Sequence, residues 1–187
     1  MSLDLERELR DRGALLSGHF RLSSGRHSDR FIQKFRILED PKLVEPVARA
    51  IAGAFADVRP TVVLSAAVGG IILGYEVARA LNVKGFFAEK EAGAPVLRRG
   101  FQLSPDDRVL VVEDVITTGG SVKEVINIAR AAGATVVGVG AIVRRGEADF
   151  GVPTVALLEM PIVSYAQDEC PQCERGAPID DPGSRRR

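Results

Sequence analysis

Five short apolar runs set the tightest limit on what this chain can fold into. They are Thr61–Ala66 (TVVLSA), Val83–Lys90 (VKGFFAEK), Arg108–Asp114 (RVLVVED), Ala134–Arg145 (ATVVGVGAIVRR) and Thr154–Met160 (TVALLEM). Near-continuous Val, Ile and Leu without strict alternation is the pattern of strands buried on both faces. Helical segments lie between them. One opens at Pro41 and runs to about Phe55, with Val44, Val47, Ala48 and Ile51 in register. The others are Gly69–Leu81 and Ser121–Ala132. Strands alternating with helices predict an α/β fold, a mostly parallel sheet flanked by helices, joined by right-handed crossovers. Before this region, Leu5, Leu9 and Leu15 predict a short amphipathic helix stopped near Gly13. GHFRLSSGRHSDRFIQKFRIL predicts a β-arm turning at Ser24-Gly25. Residues 91–107, rich in Gly, Pro and Arg, predict a loop.

Composition removes several classes of function. The 187 residues fit one domain, and 45% hydrophobic content suffices for a core. Lys plus Arg and Asp plus Glu number 25 each, which argues against a broad basic face for nucleic acid. No stretch reaches the ~18 apolar residues of a membrane span. The charged start MSLDLERELRDRG lacks the apolar core of a signal peptide, so a cytoplasmic location is the expectation.

The chemistry concentrates in RVLVVEDVITTGGSV. Its apolar run stops at Glu113-Asp114, and Thr117-Thr118-Gly119-Gly120-Ser121 follows before a helix. In a parallel sheet such a loop lies beyond the carboxyl end of a strand, where ligands bind. Glycines permit close backbone approach, hydroxyls donate, and the free N–H groups of the next helix point at an anion. Two carboxylates beside a phosphate loop are paradoxical unless one ligand satisfies both. Carboxylates accept hydrogen bonds from adjacent hydroxyls, so the pattern predicts a ribose 5-phosphate. The acids would take its 2- and 3-hydroxyls and the loop its phosphate. A plain strand-to-helix turn is the competing reading. Neither Gly-Lys-Ser/Thr nor G-x-G-x-x-G occurs here, and Gly138 and Gly140 lie inside a strand.

VLVVEDVITTGGS resembles the phosphoribosyl-pyrophosphate (PRPP) motif of the type I phosphoribosyltransferases. GHFRLSSGRHSDRFI resembles the N-terminal signature of the orotate phosphoribosyltransferases, and CPQCERGAPIDDPGSR the C-terminal tail of a bacterial branch of that family. The resemblance implies one domain over residues 1–187 of Rossmann-like type I fold, with a small hood built from about 1–38 and 160–187. It implies transfer of phosphoribose from PRPP to orotate, giving orotidine 5′-monophosphate and pyrophosphate in pyrimidine synthesis. It also implies Mg²⁺ and a homodimer sharing the 91–107 loop across subunits.

Site residues follow on matching positions. The resemblance assigns PRPP to Glu113, Asp114, Val115, Ile116, Thr117, Thr118, Gly119, Gly120 and Ser121. Asp114, Glu113 and Lys90 are the catalytic candidates, and Arg98 and Arg99 are offered with Lys90 as cations for pyrophosphate. Mg²⁺ is expected to be held by PRPP and water, with Asp114 the one candidate protein contact. Backbone N–H groups of SAAVGG (65–70) are offered to pyrophosphate, against a reading of tight helix–strand packing. Orotate is assigned to Thr117 and Arg145, with Phe31 and Ile32 in the arm (Arg26 to Ile32) that should cover the ring; Arg144 should face away. The chain departs from the family at Ser23 and Gly69, where some relatives have lysines. It departs again at Glu89 and Gly93, and no histidine lies in the 91–107 loop.

Two alternatives remain at this level: a phosphoribosyltransferase for a purine base, and a PRPP-sensing regulator without catalysis. His19 and His27 lack metal-ligand spacing and read as surface histidines. Cys170-x-x-Cys173 is half a zinc site and reads first as structural thiols. Arg185-Arg186-Arg187 reads as a frayed terminus.

Overall fold

The computed structural model describes residues 4–22, 24–161 and 163–182; Ser23 and Arg185–Arg187 therefore lie outside the described residues. Along the chain the elements are α1 (Leu5–Asp11), β1 (Leu15–Arg21), β2 (His27–Ile32), α2 (Phe35–Leu38), α3 (Pro41–Ala54), β3 (Val62–Ala66), α4 (Gly69–Leu81), β4 (Lys84–Glu91), β5 (Ala94–Leu97), β6 (Arg108–Ile116), α5 (Gly120–Ala131), β7 (Thr135–Arg144), β8 (Thr154–Glu159) and α6 (Pro171–Glu174). Single 3-10 turns occur at Ala56–Val58 and Gln167–Glu169. The chain forms two compact units, residues 38–160 and residues 4–37 with those from 161 onward.

The larger unit holds a six-stranded sheet in the order β5-β4-β3-β6-β7-β8. β3 pairs in parallel with β4 and β6, and β6, β7 and β8 continue in parallel. β6 explains its own sequence: every residue from Val109 to Asp114 is buried, so no polar alternation is tolerated until the strand ends. On one face α5 lays Val122, Val125, Ile126 and Ala129 into a cluster with Leu64, Val109, Val111, Val139 and Ala141. α3 is nucleated by Asp40, whose carboxylate accepts from Lys42 N at 3.0 Å, with Pro41 in its first turn. It buries Val44, Val47, Ala48 and Ile51. Gly138 and Gly140 of β7 have a packing role: a Cβ there would lie 2.3 Å from the Phe55 ring and 2.5 Å from Ile51 Cγ2.

One expectation is corrected. Residues 91–107 are not all loop: β4 continues to Glu91 and turns through Ala92 and Gly93 into antiparallel β5. Both turn residues have positive φ, +49° and +88°, as a two-residue hairpin with the primed twist requires. Alanine in the first turn position, where Asn or Asp is usual, hid the hairpin. Pro95 is accommodated because β5 is an edge strand. Beyond it, Phe101 stacks on Phe86 at 4.7 Å.

In the smaller unit, β1 and β2 pair antiparallel with a register shift between Ser17 and Phe20. This bulge lets adjacent His19 and Phe20 both point inward. The C-terminal segment clamps the pair. His27 and Tyr165 exchange backbone hydrogen bonds at 2.9 and 2.8 Å, and Arg21 N donates to Asp180 O at 2.9 Å. Among the described residues no helix is long and apolar enough to cross a membrane.

Candidate active site

The chain leaves β3 in one direction toward β4 and later returns to its other side as β6. The crevice between the carboxyl ends of β3 and β6 is therefore a topological switch point, where open α/β sheets bind ligands. Four segments reach this end of the sheet: Lys90 at the end of β4, Ala67–Gly70 after β3, Thr117–Gly119 after β6, and Arg145 after β7. The Ala67–Val68 peptide is cis.

Glu113 and Asp114 are 9% and 1% exposed, so both carboxylates are held inside protein at the sheet end. Each accepts from the following backbone N–H: Glu113 Oε1 from Asp114 at 3.1 Å, and Asp114 Oδ1 from Val115 at 2.7 Å. Thr117, Thr118, Gly120 and Ser121 are exposed around a concavity lined by Glu113 and Val115–Val122. Gly119 turns the chain into α5 at φ +77°, and a Cβ there would meet Ala148 and Phe150 at 2.8 Å. Among the described residues no side chain caps the start of α5, so its first N–H groups are suited to an anion.

Arg145 sits beside this loop. Its N–H donates to Ile116 O at 2.9 Å, and Gly146 packs so closely on Thr117 that a Cβ would lie 2.7 Å from its carbonyl. Arg145 Nε is buried without a hydrogen-bond partner among the described residues. Burial lowers the guanidinium from its ordinary range, yet arginine stays charged at neutral pH. Arg144 differs: its Nε donates to Glu159 at 2.9 Å across β7–β8. The cations near the hairpin also divide. Arg98 pairs with Glu91 at 3.5 Å and Arg99 with Glu89 at 3.0 Å, whereas Lys90 is exposed with no ion pair among the described residues.

A family model for the phosphoribosyl transferase domain matches residues 35–150. The orotate phosphoribosyltransferase of Pelotomaculum thermopropionicum is 54% identical over 176 residues, 93% of each chain. That of Chlorobaculum parvum is 51% identical over 175 residues, covering 92% of this chain and 91% of its own. This chain belongs to the orotate phosphoribosyltransferases. The crystal structure of the Aeropyrum pernix orotate phosphoribosyltransferase superposes with a TM-score of 0.71 at 30% identity, over 83% of this chain and 93% of that one.

Within this orotate phosphoribosyltransferase the predicted residues separate by unit. Glu113 to Ser121, Lys90, Arg98, Arg99 and Arg145 all belong to the larger one. Phe31 and Ile32 belong to the smaller, where Phe31 packs on Phe20 at 5.8 Å between ring centres and Ile32 is buried. Gly69 opens α4. The histidines are a correction: His19 and His27 are 5% and 1% exposed, not surface residues. In the β1–β2 register His27 stands opposite Arg21, two positions along the strand from His19. The bulge at Gly18-His19, invisible in the sequence, decides that both rings point inward.

Proposed function

We propose that this chain transfers the phosphoribosyl group of PRPP to orotate, releasing pyrophosphate and forming orotidine 5′-monophosphate. One observation carries the reading: buried Glu113 and Asp114 adjoin the exposed hydroxyls of Thr117–Ser121 and the uncapped start of α5, at the switch point of the sheet. The loop receives the 5-phosphate through N–H and O–H donors. The carboxylates accept the ribose hydroxyls. As pyrophosphate leaves, positive charge grows on the sugar, and Glu113 and Asp114 are fixed beside it before reaction begins. Holding both substrates in one crevice supplies the rest.

Two adjacent carboxylates fit Mg²⁺, which takes one or two such ligands together with substrate phosphates and water. Asp114 is the residue assigned to it, and the ion would neutralise charge on the departing pyrophosphate. Arg145 is assigned to orotate, since a half-buried guanidinium whose Nε–H has no partner among the described residues is a fork suited to a planar anion. Thr117 stands next to it as a hydroxyl contact. Lys90, which makes no ion pair among the described residues, is assigned to pyrophosphate.

The working form is proposed to be a cytosolic homodimer. Val68, Ile72 and Tyr75 follow one stripe at the start of α4 and are 70%, 44% and 66% exposed, an apolar surface suited to a second copy. A panel of bases incubated with PRPP and Mg²⁺ tests the substrate assignment. Orotate should be consumed and adenine, hypoxanthine and xanthine left untouched. Consumption of a purine instead would transfer the chain to a purine enzyme, and PRPP binding without turnover of any base would make it a sensor.

A further inference from the structure

His19, His27, Cys170 and Cys173 converge within the smaller unit, and none of the four is assigned to the reaction. One ligand atom from each lies within 4.8 Å of all the others. His19 Nε2 stands 3.2 Å from His27 Nδ1, 3.5 Å from Cys170 Sγ and 3.7 Å from Cys173 Sγ, and Cys173 Sγ is 3.2 Å from His27 Nδ1. A tetrahedral zinc with Zn–N of ~2.05 Å and Zn–S of ~2.3 Å sets N–N at about 3.3 Å and N–S at about 3.5 Å. Four of the six inter-ligand distances therefore already lie near the edge lengths of such a tetrahedron, and the other two are within 4.8 Å. The geometry points to a structural zinc site, Cys₂His₂, that staples the hairpin β1–β2 to the C-terminal segment.

Hydrogen bonding alone accounts poorly for the cluster. His19 Nδ1 lies 3.0 Å from Ala177 O, and a carbonyl only accepts, so that nitrogen carries the proton. His19 Nε2 is then a bare lone pair facing three polar atoms, in a site where His19, His27 and Cys170 are 5%, 1% and 1% exposed. The thiol S–H groups are weak donors to these ring nitrogens, whereas one central cation engages all four ligand atoms at once. The Ala177 carbonyl is the outer partner that metal-bound histidines ordinarily use to fix their tautomer. That carbonyl is itself placed by the turn after α6, where Ala177 N donates to Gln172 O at 3.0 Å.

The ligand set also chooses the metal. Two thiolates and two imidazoles in a tetrahedron suit zinc. Both thiols lose their protons on binding, leaving a neutral core that can be buried. A disulfide between the cysteines is the competing use of Cys-x-x-Cys, but both are free thiols, and oxidation would leave two buried imidazoles without their partners. The fold supplies the motive: this small unit is built from two distant chain segments, and units of such size need a staple.

Metal content measured by mass spectrometry on the full chain, purified without chelator, should give one zinc per chain. The Asp114→Asn variant should retain it, which separates this site from the catalytic one and from the fate of the activity assignment. Replacement by Co²⁺ should produce the thiolate-to-cobalt charge-transfer band and the intense visible bands of a tetrahedral site. Cys173→Ser should weaken that charge-transfer band, and Cys170→Ser/Cys173→Ser should abolish zinc and lower Tm by roughly 10 °C. Where a variant fails to fold, intact protein treated with a mercurial thiol reagent provides the second readout, releasing one zinc per two thiols titrated. Wild-type protein that carries no zinc, and whose added Co²⁺ shows no thiolate charge-transfer band, would overturn the site.

Discussion

Asp114 is 1% exposed and its Oδ1 is held by the next backbone N–H, so Asp114→Asn removes charge while keeping shape. Turnover should fall ~10²–10⁴-fold with an unchanged melting curve, the loss expected for an important electrostatic group. Activity within threefold of wild type would sink its assignment to the ribose. Arg145→Ala should raise the orotate KM about ten- to a hundredfold, for a lost charged hydrogen bond of ~1.5–3 kcal/mol, and leave PRPP binding nearly intact. Arg144→Ala is the control, since Arg144 is engaged with Glu159; the reverse ranking would mean that the strand presents the other arginine to the base. These residues were legible in the sequence because their chemistry is local: two acids ending a buried strand, a Gly/Thr loop, and an arginine at the next strand end. What could not be read was the engagement of Arg98 and Arg99 by Glu91 and Glu89, because it depends on a hairpin hidden by Ala92.

Among the elements, the turn into α5 is the most constrained. Gly119→Ala adds a Cβ at φ +77° and 2.8 Å from Ala148 and Phe150, and should cost ~1–3 kcal/mol, read as a fall in Tm of several degrees together with weaker PRPP binding. Gly53→Ala, in the exposed last turn of α3 with nothing within 4 Å, should instead stabilise by ~0.4–1 kcal/mol. Equal effects at the two positions would contradict the packing account. The β4–β5 hairpin carries Lys90, so Lys90→Ala should slow the chemistry more than it weakens orotate binding. If the hairpin serves the neighbouring subunit, mixing Lys90→Ala with Asp114→Asn restores about a quarter of wild-type activity, because half the dimers are hybrids with one intact site. No recovery after verified subunit exchange would place the hairpin over its own subunit's site. Long elements were legible in sequence for a physical reason: α4 follows its apolar period from Gly69 to Leu81, and β6 its unbroken burial. Short elements such as α2 and α6 span four residues each and leave no periodic trace.

At the scale of the molecule, catalytic groups occupy one unit and a candidate metal staple the other. The parallel sheet was legible because burial on both faces forces apolar runs. The histidine–cysteine cluster was not, because its halves are more than 140 residues apart and only the folded hairpin brings them together. The central claim is a reaction, and its stoichiometry tests it most directly. Wild-type protein is mixed with orotate, PRPP and Mg²⁺, and loss of orotate absorbance is followed alongside pyrophosphate release. The account predicts equal amounts of orotate consumed and pyrophosphate formed, no change when PRPP is omitted, and a rate reduced ~10²–10⁴-fold in Asp114→Asn. Orotate left unconsumed by folded, PRPP-bound protein would contradict it.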